Sequence, residues 1–432
     1  MDQIDHKKTY VLIDCNNFFV SCERVFRPDL EGKSVVVLSS NDGCAVSRSN
    51  EAKALGIPMG APAYQYRDLF RRYGVVAFSA NFELYADISR RILSILSAIT
   101  PRIEVYSIDE SFLDVTELNI PDYGTWGRAV RTDILRRTGV PVSVGIAPTK
   151  TLAKLAADIA KKDPAHAGVL DLTSLTKAGR ETHVQRVPLE DLWGVGRRLG
   201  PRLRVEGLQS ALDVARLRPT RARQLMGLIG MRMVMELNGV SCHGFAPREA
   251  AQQMIMRGRT FGADRRDFDA LEAALASLTA RATLEARREG QLARRIALFL
   301  STSKHRPDYR SWHEDIILPM PTADTAQVLA ALLKRLANIY RADTAYHRAV
   351  VTLYDLIPEA ALQLDLLGAV QASVHDASRA RMAAVDAINV RFGSHTIRYA
   401  AEDLSRSWQP KHGSRSLRYV SSWDELPEAY VH

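Results

Sequence analysis

The chain has 432 residues, 46% hydrophobic and 25% charged. That is enough for about two to four domains with buried cores, and it excludes disordered, collagen-like and fibrous classes. No apolar run approaches the roughly 18–20 residues that span a bilayer, so no membrane partner is expected, and residues 1–8 are polar, without a secretory apolar core. The four cysteines (Cys15, Cys22, Cys44, Cys242) contain no CxxC pair. They read as reduced thiols of a cytoplasmic protein, and zinc is not expected.

The net charge of +9 is spread unevenly: +1 over residues 1–170, +5 over 171–242, +4 over 243–355 and −1 over 356–432. A basic middle beside a near-neutral start suits a protein that grips a polyanion with one region and does chemistry with another.

In chain order, Thr9-Tyr10-Val11-Leu12-Ile13 is a short β-branched run ending at Asp14, the pattern of a buried strand. Asn16-Asn17 supply helix-starting side chains ahead of Phe18, Phe19 and Cys22 at helical spacing. Residues 34–38 read as a strand, and 50–56 and 64–73 as helices, the first closed by Gly56 and Pro58. Leu84, Ile88, Ile92, Ile95 and Ile99 predict an amphipathic helix over 81–99, ended by Pro101. Strands at 103–107 and 111–115 flank Asp109-Glu110, predicting a hairpin with carboxylates at its tip. A helix over 126–138, a strand over 140–146 and a helix over 151–161 complete an α/β first region. Residues 187–240 read as all-helical, with turns at Gly194-Val195-Gly196, Gly207 and Gly230. Gly244-Phe245-Ala246-Pro247 then reads as a linker. Strands at 255–261, 294–301 and 347–354 with helices at 267–288 and 324–341 give the next region an α+β character. A polar, partly periodic extension follows Pro358, and nothing repeats.

Asp14, Asp109 and Glu110 each end a strand pattern, where a carboxylate is solvent-accessible yet rigidly held. On a straight strand Asp109 and Glu110 would point to opposite faces, whereas at a turn both can converge, with Asp14 completing the group. Clustered hard oxygen ligands select Mg²⁺ or Mn²⁺, and two such ions would clamp the attacking and leaving oxygens of an in-line phosphoryl displacement.

Tyr10-Val11-Leu12-Ile13-Asp14-Cys15-Asn16-Asn17-Phe18-Phe19-Val20-Ser21-Cys22-Glu23 and Tyr106-Ser107-Ile108-Asp109-Glu110-Ser111-Phe112-Leu113-Asp114 resemble the two catalytic motifs of the Y-family translesion DNA polymerases. The likeness continues through Val142-Ser143-Val144-Gly145-Ile146-Ala147-Pro148-Thr149-Lys150-Thr151-Leu152-Ala153-Lys154-Leu155-Ala156. Phe26-Arg27-Pro28-Asp29-Leu30, Ser40-Asn41-Asp42-Gly43-Cys44 and Glu51-Ala52-Lys53-Ala54-Leu55-Gly56 resemble the UmuC-like branch, the catalytic subunits of bacterial DNA polymerase V.

This resemblance implies a right-hand polymerase: palm (8–17 and 83–170), small fingers (18–82), helical thumb with a helix-hairpin-helix (171–242), little finger (243–355) and C-terminal extension (356–432). It implies error-prone, template-directed synthesis past lesions in the SOS DNA-damage response. Asp14, Asp109 and Glu110 would be catalytic and hold two Mg²⁺ ions, or Mn²⁺ in their place, with the backbone carbonyl of Cys15. Phe18 and Phe19 would line the nucleotide, Phe19 as the steric gate against a ribose 2′-hydroxyl, and Arg48, Lys53 and Lys161 would face the triphosphate. Asn50 stands where many relatives carry a phosphate-binding tyrosine, and Lys53 where they carry arginine, which leaves the role of Asn50 open.

Pro188-Leu189-Glu190-Asp191-Leu192-Trp193-Gly194-Val195-Gly196-Arg197-Arg198 resembles a helix-hairpin-helix, in which Gly194, Gly196, Arg197 and Arg198 would meet a DNA phosphate. Arg257, Arg259, Arg294 and Lys304 are the backbone-contact candidates of the little finger. Gln363-Leu364-Asp365-Leu366-Leu367 resembles the peptide that docks on the bacterial sliding clamp. The implied partners are primer-template DNA, deoxynucleoside triphosphates, the clamp, a processed UmuD-type dimer and the RecA filament, met at the nucleoid. Two rival readings share the acids: a catalytically silent, polymerase-shaped scaffold that binds DNA and the clamp, and a nucleotide cyclase, which would need no basic thumb.

Overall fold

The run Tyr10–Cys15 is buried along its whole length, as its unbroken apolar sequence requires. It forms the middle of a five-stranded sheet in the order Ile103–Val105, Glu110–Asp114, Tyr10–Cys15, Val142–Ala147, Val169–Asp171. All neighbours are antiparallel except the last pair. Side chains alternate between its faces. Val11, Ile13 and Cys15 enter one core with the helices Phe82–Ser97 and Tyr123–Thr138, whereas Tyr10 and Leu12 enter another with the helix Lys150–Lys162. Asp14 continues the second face.

This architecture belongs to a computed structural model that describes residues 8–245, 252–362, 372–393, 395–402 and 413–426. One unit comprises Met1–Glu249 with His412–His432, the other Ala250–Lys411.

In the first unit, the helix Lys150–Lys162 is capped by the Thr149 side chain and starts one residue earlier than its sequence suggests. It turns Ala153, Ala156, Ala157 and Ala160 inward, all essentially buried. The approach to Val142–Ala147 is close: a Cβ on Gly145 would lie 2.0 Å from the Ala153 carbonyl oxygen and 2.3 Å from the Ala157 nitrogen. Glu236, fully buried, ties this helix to the helical segment that follows. Its carboxylate accepts from the amides of Thr151 at 3.0 Å, Cys242 at 2.6 Å and His243 at 3.1 Å.

That helical segment contains Lys177–Gln185, Leu199–Val205, Ala211–Ala215 and Pro219–Leu237. The turn expected at Gly230 is absent. Gly230 is buried within the last of these helices, which breaks instead at Gly227, where φ is 72°. A three-stranded sheet, ordered Ala45–Arg48, Val35–Leu38, Val76–Ser79, builds a small core of its own around Val36, Leu38, Ala52 and Ile57.

The second unit is a four-stranded antiparallel sheet ordered Ser311–Thr322, Gln291–Ser301, Tyr346–Pro358, Met254–Arg265. The helices Phe268–Arg288 and Thr325–Ile339 share its core. Ser311–Thr322 escaped the sequence reading because this edge strand exposes alternate residues and carries Pro319 and Pro321. The extension expected from residue 356 is not one piece. Its helix Ala372–Phe392 packs on the second unit, where Arg287 holds Asp386 through two 2.7 Å bonds, while residues 413–426 pack on the first unit. Gln363 to Leu367, read from the sequence as a clamp-docking peptide, lie outside the described residues. Among the described residues no helix is long and apolar enough to cross a membrane.

Gly145→Ala should destabilise the first unit by at least about 3 kcal/mol, because the clash is with helix backbone that cannot rotate away. Urea denaturation of the full chain reads this directly, and an unchanged midpoint would contradict the close approach.

Candidate active site

Asp14 and Glu110 are direct partners in the strand register, and the Cys15 amide donates to the Asp109 carbonyl at 2.9 Å. The hairpin between Ile103–Val105 and Glu110–Asp114 therefore delivers two carboxylates beside the end of Tyr10–Cys15. Ser107 organises its tip. Its hydroxyl donates to Asp109 Oδ1 at 2.6 Å and accepts from the Glu110 amide at 3.0 Å. Asp14 and Glu110 lie side by side at one sheet end with Asp109 next in the chain, and Glu110 lies within its strand rather than in the turn.

Three further charged groups cover this end. Lys154, Asp158 and Lys161 sit at helical spacing on one face of Lys150–Lys162. Lys161 Nζ donates to Asp14 Oδ1 at 2.8 Å, and Lys154 pairs with Glu110. Burial pushes the Glu110 carboxyl above its ordinary value, against the pull of Lys154, and burial raises Asp158 as well. Burial alone would lower the Lys161 ammonium, but Asp14 outweighs it and holds the group high. Lys154 and Asp158 were missed by the sequence reading, though their i, i+4, i+7 spacing with Lys161 was the available signal.

Among the described residues no three acidic, histidine or cysteine side chains gather closely enough to form a metal cage. Here Lys161 pairs with Asp14 and Lys154 with Glu110. The donor set is nevertheless of the hard-oxygen kind that a divalent cation takes: Asp14 and Glu110 face each other across the strand pair with Asp109 adjacent, and an incoming cation would replace the lysine contacts. Cys15 is buried, its thiol pushed up first by burial and then by Asp109 and Asp14, so only its backbone is suited to a cation.

Phe19 lies half-buried, stacked on Tyr85 at 4.4 Å and edge-on to Phe82 at 5.9 Å. Phe18 is 3% exposed in the core, so its side chain serves packing rather than a ligand. The Tyr85 hydroxyl donates at 2.7 Å to Glu23, which is fully buried. Burial raises the Glu23 carboxyl, opposed by the hydroxyls of Tyr85 and Ser416.

Asn17 does not cap its helix as expected. It takes a left-handed conformation (φ 48°) and turns its amide outward. There it accepts from Lys53 Nζ at 2.6 Å and donates to Asn50 at 3.0 Å, which places Asn50 beside the phosphate-site candidate Lys53. Burial, with Lys161 and Arg48 nearby, holds the Lys53 ammonium low. Arg48 spends one guanidinium nitrogen on the Ile57 carbonyl at 2.6 Å.

Gly194, Gly196, Arg197 and Arg198 form an exposed turn, with Gly194 at φ +92°. Trp193 anchors it by donating to the Tyr106 hydroxyl at 3.0 Å. In the second unit, Arg257 and Arg259 share a strand face with the buried Ile255 and Phe261 and so project toward the helices, where Arg257 pairs with Glu285. Arg294, at an irregularity beside Ala293, and Lys304 are exposed.

Residues 13–158 match the impB/mucB/samB family and residues 252–366 its C-terminal domain, while 380–429 match a domain of unknown function. The chain is 39% identical to protein UmuC of Salmonella typhimurium, over 96% of this chain and 99% of that one. The chain belongs to the impB/mucB/samB family. Protein SamB of Salmonella typhimurium is 38% identical to this family member, over 97% and 99% of the two chains. A DNA polymerase IV of Corynebacterium diphtheriae is 30% identical over 74% and 70%. A solved Y-family DNA polymerase chimera of Dbh and Dpo4 superposes with TM-score 0.63 at 22% identity, covering 81% of this chain and 99% of that one. DinB from Sulfolobus solfataricus gives 0.52 at 24%, covering 80% and 98%. This impB/mucB/samB protein thus has the multidomain α/β and α+β fold of the Y-family polymerases.

The raised Glu23 carboxyl gives a pH signature. Its contribution to stability is fully present below the ordinary value of 4.5 and is lost as pH climbs through the raised folded-state value. Glu23→Gln keeps an acceptor for Tyr85 and should remove this loss. In urea denaturation at stepped pH, the variant should gain on the parent above pH 4.5; parallel profiles would contradict the assignment.

Proposed function

We propose that this chain is an error-prone, template-directed DNA polymerase that carries out translesion synthesis in the SOS DNA-damage response. It joins a primer 3′-hydroxyl to the α-phosphate of a deoxynucleoside triphosphate and releases pyrophosphate. The observation that carries this reading is Asp14 opposite Glu110, with Asp109 adjacent, beneath Lys161 in a member of this family. Activity in this family depends on a divalent metal. Two Mg²⁺ ions, or Mn²⁺ in their place, held by Asp14, Asp109, Glu110 and the Cys15 carbonyl, would supply the charge that activates the hydroxyl and neutralises the leaving group.

The chain's own groups do the rest. Lys161 and Lys53 attract the triphosphate as point charges, and Asn17 and Asn50 hold Lys53 in place. The Phe19 ring occupies the space a ribose 2′-hydroxyl would need. The exposed turn at Gly194–Arg198 offers backbone amides and two guanidinium groups to a DNA phosphate. In domain terms, the five-stranded sheet serves as palm, residues 18–82 as fingers, 171–242 as thumb, and the sheet of the second unit as little finger. Gln363, Leu364, Asp365, Leu366 and Leu367 form the sliding-clamp peptide, and a processed UmuD-type dimer and the RecA filament complete the assembly on DNA in the cytoplasm.

Primer extension across an abasic template site, with Mg²⁺ and these partners supplied, tests the reading. The intact chain should bypass the lesion and Asp109→Ala should not. DNA binding without synthesis by either would favour the scaffold. Replacing Arg197 and Arg198 together by alanine should weaken DNA binding equally for all sequences and reduce the slope of log affinity against log salt by about 2. An unchanged slope would remove that turn from the interface.

A further inference from the structure

Residues 413–426 lie in the domain of unknown function, yet they pack on the unit that holds the carboxylates. The Ser79 amide donates to the Ser414 carbonyl at 3.0 Å, the Ser414 amide donates to Ser79 Oγ at 3.0 Å, and Ser79 and Arg415 form a parallel bridge. Asn81, 1% exposed, donates to Ser416 Oγ at 2.9 Å. Arg415 and the Ser421 hydroxyl both reach Glu83, at 2.9 and 3.0 Å. Tyr419, 7% exposed, stacks flat on Phe26 at 4.6 Å.

These contacts converge on two helices. Ser79 and Asn81 lead into Phe82–Ser97 and Glu83 lies in its first turn; this helix carries the Phe82 and Tyr85 rings that hold Phe19. Phe26 ends Phe18–Phe26, the helix that carries Phe19 itself and Glu23, the acceptor for Tyr85. The segment therefore fastens both sides of the Phe19 platform. We infer that residues 413–421 are the outer brace of the sugar-selecting wall, with Ser416 and Tyr419 as positioning residues for Phe19. The brace sets how rigidly the ring stands, and a ring that yields admits the larger ribose.

This inference rests on Phe19 being the group that excludes the 2′-hydroxyl, and the experiment separates the two. Single-nucleotide incorporation is measured with deoxy- and ribonucleoside triphosphates for the full chain, Phe19→Ala, Ser416→Ala, Tyr419→Leu and Trp423→Ala. Tyr419→Leu removes the stacked ring while keeping bulk in the core, and Trp423, 89% exposed, is the control. Amide exchange at Ser79 reports whether the brace remains docked. Phe19→Ala should abolish sugar discrimination. Tyr419→Leu and Ser416→Ala should lower the ratio of kcat/KM values by about 3- to 10-fold, through the ribonucleotide, with faster exchange at Ser79. Trp423→Ala should leave both readouts alone. Unchanged discrimination in Phe19→Ala would overturn the role of Phe19. Lost discrimination there, with Tyr419→Leu and Ser416→Ala both unchanged, would overturn the brace alone.

Discussion

Gly145 has no room for even a methyl group, because the backbone of the helix Lys150–Lys162 presses against it. Much of the site follows from that contact. The row of alanines lets the helix sink onto the sheet, and the same geometry sets its charged row over the carboxylate edge. Glu236 secures the other end of the helix by engaging the Thr151 amide, so the helix is held along its length. Interiors packed at this density transmit small displacements rather than absorbing them. A change far from the acids, at Gly145 or Glu236, would therefore reach Lys154 and Lys161.

The second constraint is electrostatic. Three carboxylates at one sheet end repel one another and are costly to desolvate. The fold offsets this with two ammonium groups from the helix and a serine hydroxyl in the hairpin. Such a site is assembled before any substrate arrives.

Residues 8–245 and 413–426 share the first unit, although the second unit intervenes in the chain. Its last described segment contributes Tyr419 to the same core as Val11 and Ile13. Distance along the sequence thus says little about which residues share a core, and residues 413–426 become part of the unit that holds the carboxylates.

Strands with unbroken apolar runs and the helix over Leu84, Ile88, Ile92 and Ile95 were legible in the sequence because burial imposes period and composition directly. So were Asp14, Asp109 and Glu110, since acids at the ends of such runs stand out, and the motif resemblance gave them a chemistry. The half-exposed edge strand Ser311–Thr322 and the Gly227 break were not, because neither leaves a periodic trace. Nor was the left-handed turn of Asn17 toward Asn50 and Lys53, which only their spatial meeting explains. Local sequence determines which segments are strands or helices and which residues carry chemistry. The pairing of Lys154 with Glu110, the turning of Arg257 toward Glu285 and the docking of residues 413–426 were decided by tertiary structure alone, because each joins groups brought together only by packing.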